Sequence, residues 1–284
     1  MRENISSLSC RAKGSPWVGL VCSEGNPYTS PMAERLCIYR EVYAKEILTR
    51  SRVYEYTVNP YRGCYHGCSY CYARFMKRFL GRKEEWGSFV DVKVNAAELL
   101  AKEMTRKRRG TVWISGVCDP YQPCERERRL TGRCIEVLIE RGWPIVVQTK
   151  SPLVLVDREL LKSSESVDVF FSISTADERI RRMFEPFAPS AWERISALRV
   201  LASDGVRCHL MIAPLLPGAE GLVEQLKEYV SSVLIDRMNY HYADGVYRKH
   251  GLNWARTESF FRERASQIYG LFRDAGVACE ILFS

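Results

Sequence analysis

Residues 131–149 read TGRCIEVLIERGWPIVVQT, and this stretch decides the fold. Apolar residues at helical spacing in TGRCIEVLIERG give way to the short, β-rich apolar run PIVVQT at 144–149. Outward from it the same alternation recurs. Apolar runs stand at YEYTVN (54–59), TVWISGV (111–117), VDVFFSIS (167–174), VRCHLMIAP (206–214) and SVLIDRM (232–238). Between them lie the helix-like segments NAAELLAKEMTRKRR, DRELLKSS, AWERISALRVLASDG and AEGLVEQLKEYVS. Strand alternating with helix implies right-handed βαβ units and a parallel sheet. About six units are too few for a closed eight-stranded barrel but enough for an open one. The expectation is therefore an α/β protein, a partial (open) TIM-type barrel over 51–238, with a doubly wound sheet as the alternative. Residues 1–50 form an N-terminal extension, with a helix expected through AERLCIYREVYAKEILTR (33–50). Residues 239–284 form a lid-like, substrate-facing segment followed by a closing helix, TESFFRERASQIYGLFRDAG, and the strand ACEILFS. Functional residues belong at the C-terminal ends of the strands.

The chain has 284 residues and is 46% hydrophobic, which suits a globular protein with a real core. Forty-two basic against 34 acidic residues leave a net charge of +8, an excess that favours a polyanionic partner. No apolar run approaches the ~20 residues needed to cross a bilayer. The beginning, MRENISSLSCRAKG, lacks the apolar stretch of a signal peptide, so the expected location is cytoplasmic. Eleven cysteines, an odd and scattered set, do not form a disulfide framework. Cys134, Cys208 and Cys279 fall in helix-like or strand-like segments and read as core. Cys10, Cys22 and Cys37 are too irregularly spaced to argue for an auxiliary metal centre.

Directly after the first strand, GCYHGCSYCYARF at 63–75 places Cys64, Cys68 and Cys71 within eight positions. Gly63 and Gly67 allow the chain to wrap closely around a bulky group. A structural zinc site closes its tetrahedron with four protein ligands, and only His66 could complete this one; a reactive site keeps a position open.

The pattern Cys64-x3-Cys68-x2-Cys71 resembles the signature of the radical S-adenosylmethionine (SAM) superfamily, and NPYRGCYHGCSYCYAR is similar to its spore photolyase-like branch. The resemblance implies a 4Fe-4S cluster held by the three thiolates, with SAM on the fourth iron. It also implies reductive cleavage of SAM to a 5′-deoxyadenosyl radical that abstracts hydrogen from a substrate, fed by an external one-electron reductant of flavodoxin or ferredoxin type. SGVCDPYQPCERERRLT resembles the branch's SAM-contacting loop, which nominates Gly116 and Asp119. QTKS resembles its Thr-Lys element and nominates Lys150 for the SAM carboxylate. FFSIST nominates Ser172, FEPFAPSAWERI nominates Glu185 and Arg194, and IAPLLPG nominates Ala213. Tyr70, beside the third cysteine, is nominated with them. Taken singly, these residues could be a strand-end cation, a satisfied core hydroxyl and a surface ion pair.

Spore photolyase returns hydrogen to its product from a cysteine at the end of the second strand, aided by tyrosines, and Cys118 stands in a similar place. Tyr70 and Tyr72 flank Cys71 as the family's tyrosine pair does. The loop departs from the photolyase pattern in its two prolines and the extra Cys124, and a buried inert cysteine is the competing reading. Basic residues bunch at KEMTRKRRG, ERERR and RIRR. NYHYADGVYRKHGLNW (239–254) is expected to form a hairpin or lid turning at Asp244-Gly245 and presenting Tyr242, Tyr247, Arg248 and Lys249 to bases and phosphates. A nucleic acid or nucleotide is the expected substrate. A peptide or protein side chain is the alternative, and a non-catalytic zinc protein that binds nucleic acid is the alternative from another class.

Overall fold

The computed structural model describes residues 36–284. Eleven strands appear in chain order: β1 (Ile38–Val42), β2 (Leu48–Arg50), β3 (Tyr56–Val58), β4 (Tyr61–Arg62), β5 (Phe89–Lys93), β6 (Val112–Ile114), β7 (Ile145–Thr149), β8 (Val167–Ser172), β9 (Arg207–Ile212), β10 (Ser232–Ile235) and β11 (Ala278–Ile281). Eight form one sheet in the order β2-β3-β6-β7-β8-β9-β10-β11. Every pairing from β3 to β11 is parallel, and β2 joins β3 antiparallel. The sheet does not close, so the fold is the expected partial barrel with six βα units starting at β3, β6, β7, β8, β9 and β10. The other three strands form a small sheet, β1-β5-β4.

Strand parity sets the two faces. Val147, Val169, Phe171, Leu210, Ile212 and Val233 are fully buried and share one core with Ile135, Leu138, Leu198 and Leu201 of the helices Leu130–Glu140 and Ala191–Ser203. Their neighbours Gln148, Lys150, Asp168, Phe170, His209 and Met211 point to the opposite, concave face and are only partly buried. A parallel strand covered on both faces reads as a continuous apolar run, and these do not, because the open barrel leaves its inner wall to other groups. Helix Ala191–Ser203 starts at a full capping box, with the Ser190 hydroxyl accepting from the Glu193 N–H at 3.2 Å.

Two expectations fail. Residues 36–50, the described part of the expected 33–50 helix, contain β1 and β2 instead. β1 pairs parallel with the distant β5 and β2 antiparallel with the adjacent β3, so strand pairing overrides a helix-like local pattern. Nor do residues 239–254 make a hairpin. Asp244–Lys249 is a helix flanked by single 3-10 turns, and Tyr247 is fully buried against Phe184 at 4.8 Å between ring centroids, so it cannot face a substrate. Of the cysteines considered for a second metal centre, Cys10 and Cys22 lie outside the described residues, and Cys37 packs beside Cys124 against Tyr61 and Val90. Cys134 and Cys208 are buried and Cys279 is half-buried.

Candidate active site

The cysteine loop leaves β4 through Gly63, whose φ is +87° and where an added Cβ would stand 2.3 Å from the Phe89 carbonyl oxygen of β5. Gly67 turns the chain again at φ +58°. The Gly67 N–H reaches the Cys64 carbonyl at 3.4 Å and the Cys71 N–H the Cys68 carbonyl at 3.2 Å. From outside, the Tyr65 N–H donates to Gln122 Oε1 at 2.9 Å and the Ser69 N–H to the Phe184 carbonyl at 2.8 Å. Because Gly63 combines a left-handed φ with contact against backbone, Gly63→Ala is expected to cost about 2 kcal/mol or more in chemical denaturation. The variant is also expected to hold less iron than wild type after reconstitution.

These turns bring the three thiols to one pocket. Burial, then the charges of Asp119, Cys68 and Cys71, push the Cys64 thiol well above its ordinary range. Burial and Glu185 take Cys68 to about 12, and burial raises Cys71. Neighbouring thiols whose ionisation is opposed by burial suit a site that brings its own positive charge. Two buried donors lacking a nitrogen or oxygen partner lie at the loop, Ser69 Oγ and the Trp86 indole N–H, the latter packed against Cys64 and Cys71. Cluster and thiolate sulfurs accept such donors. The donor set thus fits an iron–sulfur cluster.

A structural zinc site would need His66 as the fourth ligand beside Cys64, Cys68 and Cys71. His66 faces Asp119 instead, Nδ1 to Oδ2 at 3.6 Å, and burial lowers it to about 4.

Asp119 braces the strand ends. Its Oδ1 accepts from the Tyr121 N–H at 2.9 Å and the Thr149 hydroxyl at 2.8 Å, and its Oδ2 from the Lys150 N–H at 2.7 Å. The loop after β6 is thereby fixed to the end of β7. The Lys150 ammonium lies 5.9 Å from the centroid of the Tyr70 ring, and among the described residues it forms no ion pair. Ser172, at the end of β8, accepts from the Gln148 amide at 3.1 Å. Glu185 and Arg194 are both fully buried, so they are not the surface pair that either residue alone would suggest. Glu185 takes the Tyr70 hydroxyl on Oε1 and the Arg194 guanidinium on Oε2 at 2.5 Å. Arg194 also donates to the Ser172 carbonyl at 3.0 Å and to the Pro189 carbonyl at 2.7 Å. Burial alone would raise the Glu185 carboxyl, but Arg194 and Lys150 hold it at about 2.

Tyr70, Lys150, Ser172, Glu185 and Arg194 therefore form one wall of the site. Tyr72 belongs to another. Its hydroxyl donates to the Gly116 carbonyl, two residues before Cys118, whose thiol donates to the Tyr61 carbonyl at 3.3 Å. The two tyrosines that flank Cys71 thus diverge. Ala213 is half-buried just beyond the end of β9. Gln148 and Ser174 were missed from sequence, although each lies two residues from a nominated one, Lys150 and Ser172, and strand parity puts such pairs on one face. Ser174 Oγ lies 3.4 Å from both the Tyr70 hydroxyl and Glu185 Oε1.

Comparison with known proteins identifies the family and the fold. The sequence model of the Radical SAM superfamily matches residues 58–228. An uncharacterized protein of Methanocaldococcus jannaschii is 32% identical over 188 residues, which are 65% of this chain and 71% of that one. Spore photoproduct lyase complexed with dinucleoside spore photoproduct superposes with a TM-score of 0.65 at 15% identity, over 86% of this chain and 82% of the other. A variant of that lyase with bound AdoMet and dinucleoside spore photoproduct gives 0.60 at 16% identity, over 86% and 81%. At such identities the two structures speak for the fold alone. The superfamily consists of enzymes that use a 4Fe-4S cluster and SAM and draw on an external reductant. With its three-cysteine loop at the mouth of an open barrel, the chain belongs to the radical SAM superfamily.

Proposed function

We propose that the protein abstracts a hydrogen atom from a nucleic acid or nucleotide, in the manner of spore photoproduct lyase, and that Cys118 returns a hydrogen atom to the product. The observation that carries this reading is the place of Cys118. It packs, with Cys71, against the buried cluster of Cys64, Trp86 and Phe89, beside the site where the radical is made. A buried core cysteine such as Cys208 in β9 has no such neighbours.

Cys64, Cys68 and Cys71 would hold the cluster through their three thiolates, leaving it a position for SAM. When bound, cluster and SAM supply the 5′-deoxyadenosyl radical. Lys150 offers its unpaired ammonium to the SAM carboxylate, an interaction strengthened by partial burial. Asp119 fixes the backbone from which Lys150 extends, and Arg194 fixes Glu185 and the end of β8. Gly116, Ser172 and Ala213, at the ends of β6, β8 and β9, would line the cofactor. Cys118 keeps its S–H on the Tyr61 carbonyl, ready to give hydrogen to a carbon radical. The Tyr72 hydroxyl, on the carbonyl of Gly116, can then pass its hydrogen atom to the Cys118 thiyl. The tyrosyl radical left behind takes one electron from the external reductant and a proton to become the phenol again. The reducing cytoplasm suits this chemistry, and none of the nine described cysteines is in a disulfide. No helix among the described residues is long and apolar enough to cross a membrane.

Cys118→Ala tests the assignment. The variant is expected to keep cluster and 5′-deoxyadenosine formation while the product radical, deprived of its donor, is diverted to other products, as read by mass spectrometry. An unchanged product distribution would remove Cys118 from the mechanism.

A further inference from the structure

Five large aromatic side chains that are exposed, Phe79, Phe75, Tyr72, Tyr240 and Tyr242, form an unbroken line of ring contacts. Successive centroids are 6.0, 6.4, 6.4 and 5.7 Å apart. Three of the rings follow the cysteine loop and two follow β10, so separate parts of the chain build one surface. Tyr72–Tyr240 and Tyr240–Tyr242 are close to parallel, at 20° and 10°. Arg74 lies over the Tyr242 ring at 5.8 Å, and Lys77 and Arg78 sit on the same short helix as Phe79.

A groove borders the helix that follows Tyr242 in the chain. Helix Asp244–Lys249 begins two residues after Tyr242, and its last turn faces helix Glu178–Phe184. Between them lies a groove lined by Glu178, Arg179, Arg182, Met183, Lys249 and His250. Tyr247 buried against Phe184 fixes the two helices to each other. Glu178 is engaged by Arg181 and Arg182, so Arg179 and Lys249 give the groove an excess of positive charge. Two basic stretches distant in sequence, at 179–182 and 248–250, thus meet.

We propose that the ring line that includes Tyr72 and the Arg179–Lys249 groove together dock an unpaired nucleic-acid strand. The rings carry bases and the groove carries phosphates. Single-strand sites combine these two elements, because every unpaired base offers a face to stack while the backbone seeks cations. A duplex keeps its base faces covered and could use only the groove. Charge favours this occupant over an apolar peptide, since cations flank the rings at both ends. The inference rests on the nucleic-acid reading given above and adds where the strand lies and that it is unpaired.

The test is fluorescence anisotropy with the reconstituted holoenzyme and a labelled mixed-sequence 12-mer, single-stranded or annealed to its complement. The single strand is expected to bind more tightly than the duplex. Tyr240→Ala with Tyr242→Ala is expected to weaken it by about tenfold or more while leaving duplex binding unchanged. The Phe counterparts should retain binding, which separates loss of stacking from loss of folding. Arg179→Glu with Lys249→Glu is expected to weaken both forms and to flatten the dependence on salt. None of these four residues lies in the machinery around the cysteine loop, so 5′-deoxyadenosine formation without nucleic acid should be unaltered. Equal binding of strand and duplex, or ring variants that bind as wild type does, would overturn the docking surface and leave the substrate reading standing. Absence of binding to either form would overturn both.

Discussion

Replacing Cys68 by Ala is expected to strip the protein of its cluster and to lower 5′-deoxyadenosine formation by at least about a hundredfold. Loss of a residue that only supports a metal ligand already costs about 10–100-fold, and Cys68 is a ligand itself. The loop cannot recruit a substitute. His66 is buried on Asp119, and the Cys118 thiol is engaged by the Tyr61 carbonyl. The measurement is iron and sulfide per chain after anaerobic reconstitution, together with the 5′-deoxyadenosine released under dithionite. Cys208→Ala is the control. That thiol is 1% exposed in β9 and belongs to the core, so its loss should lower stability modestly and leave iron content intact. Equal iron in wild type and Cys68→Ala would dismiss the loop as the cluster site.

Arg194→Ala should have the largest effect on stability, about 3–5 kcal/mol, because it leaves Glu185 charged and buried without its partner. The loss reaches further than the pair. Arg194 also holds the carbonyls of Ser172 and Pro189, so the end of β8 and the turn into the helix Ala191–Ser203 loosen together. Glu185→Gln, which can still accept from Tyr70, should cost less, and the double variant should fall well short of the sum. Urea unfolding of the four forms gives the coupling; strict additivity would mean that the buried pair does not act as a unit. The sign of the pH dependence follows. A carboxyl held at about 2 in the folded chain is ionised throughout the neutral range. Its stabilising contribution is full above the ordinary glutamate value and fades as pH falls toward 2. Arg194→Ala should lose that acid-range slope.

Much of the barrel was legible because parity and periodicity are local properties. Val167, Val169 and Phe171 alternate with Asp168 and Phe170 whatever surrounds them. β1 and β5 were not legible, since their strand character comes from partners far along the chain, and β2 is a three-residue strand too short to show a period. The cysteine loop announced itself by spacing and glycines. What each nominated residue does depends instead on contacts that no local pattern encodes. Asp119 is a brace because Thr149 and Lys150 meet it from the next strand. Glu185 and Arg194 are buried because Tyr70 and the end of β8 close over them. Tyr70 and Tyr72 looked like a pair and face opposite walls, one toward Glu185 and the other toward Gly116. The hairpin expected at Asp244-Gly245 fails because the turn dipeptide opens a helix whose Tyr247 is drawn into the core.

Deuterium transfer tests the central claim most directly. The reconstituted enzyme is incubated with SAM, dithionite and a single-stranded oligonucleotide deuterated at carbon, and the 5′-deoxyadenosine is analysed by mass spectrometry. Deuterium in the 5′-deoxyadenosine is the predicted result, because the hydrogen removed from the substrate ends on that carbon. 5′-Deoxyadenosine that forms but stays unlabelled with every deuterated oligonucleotide and nucleotide, and becomes labelled with a deuterated peptide, would contradict the nucleic-acid assignment.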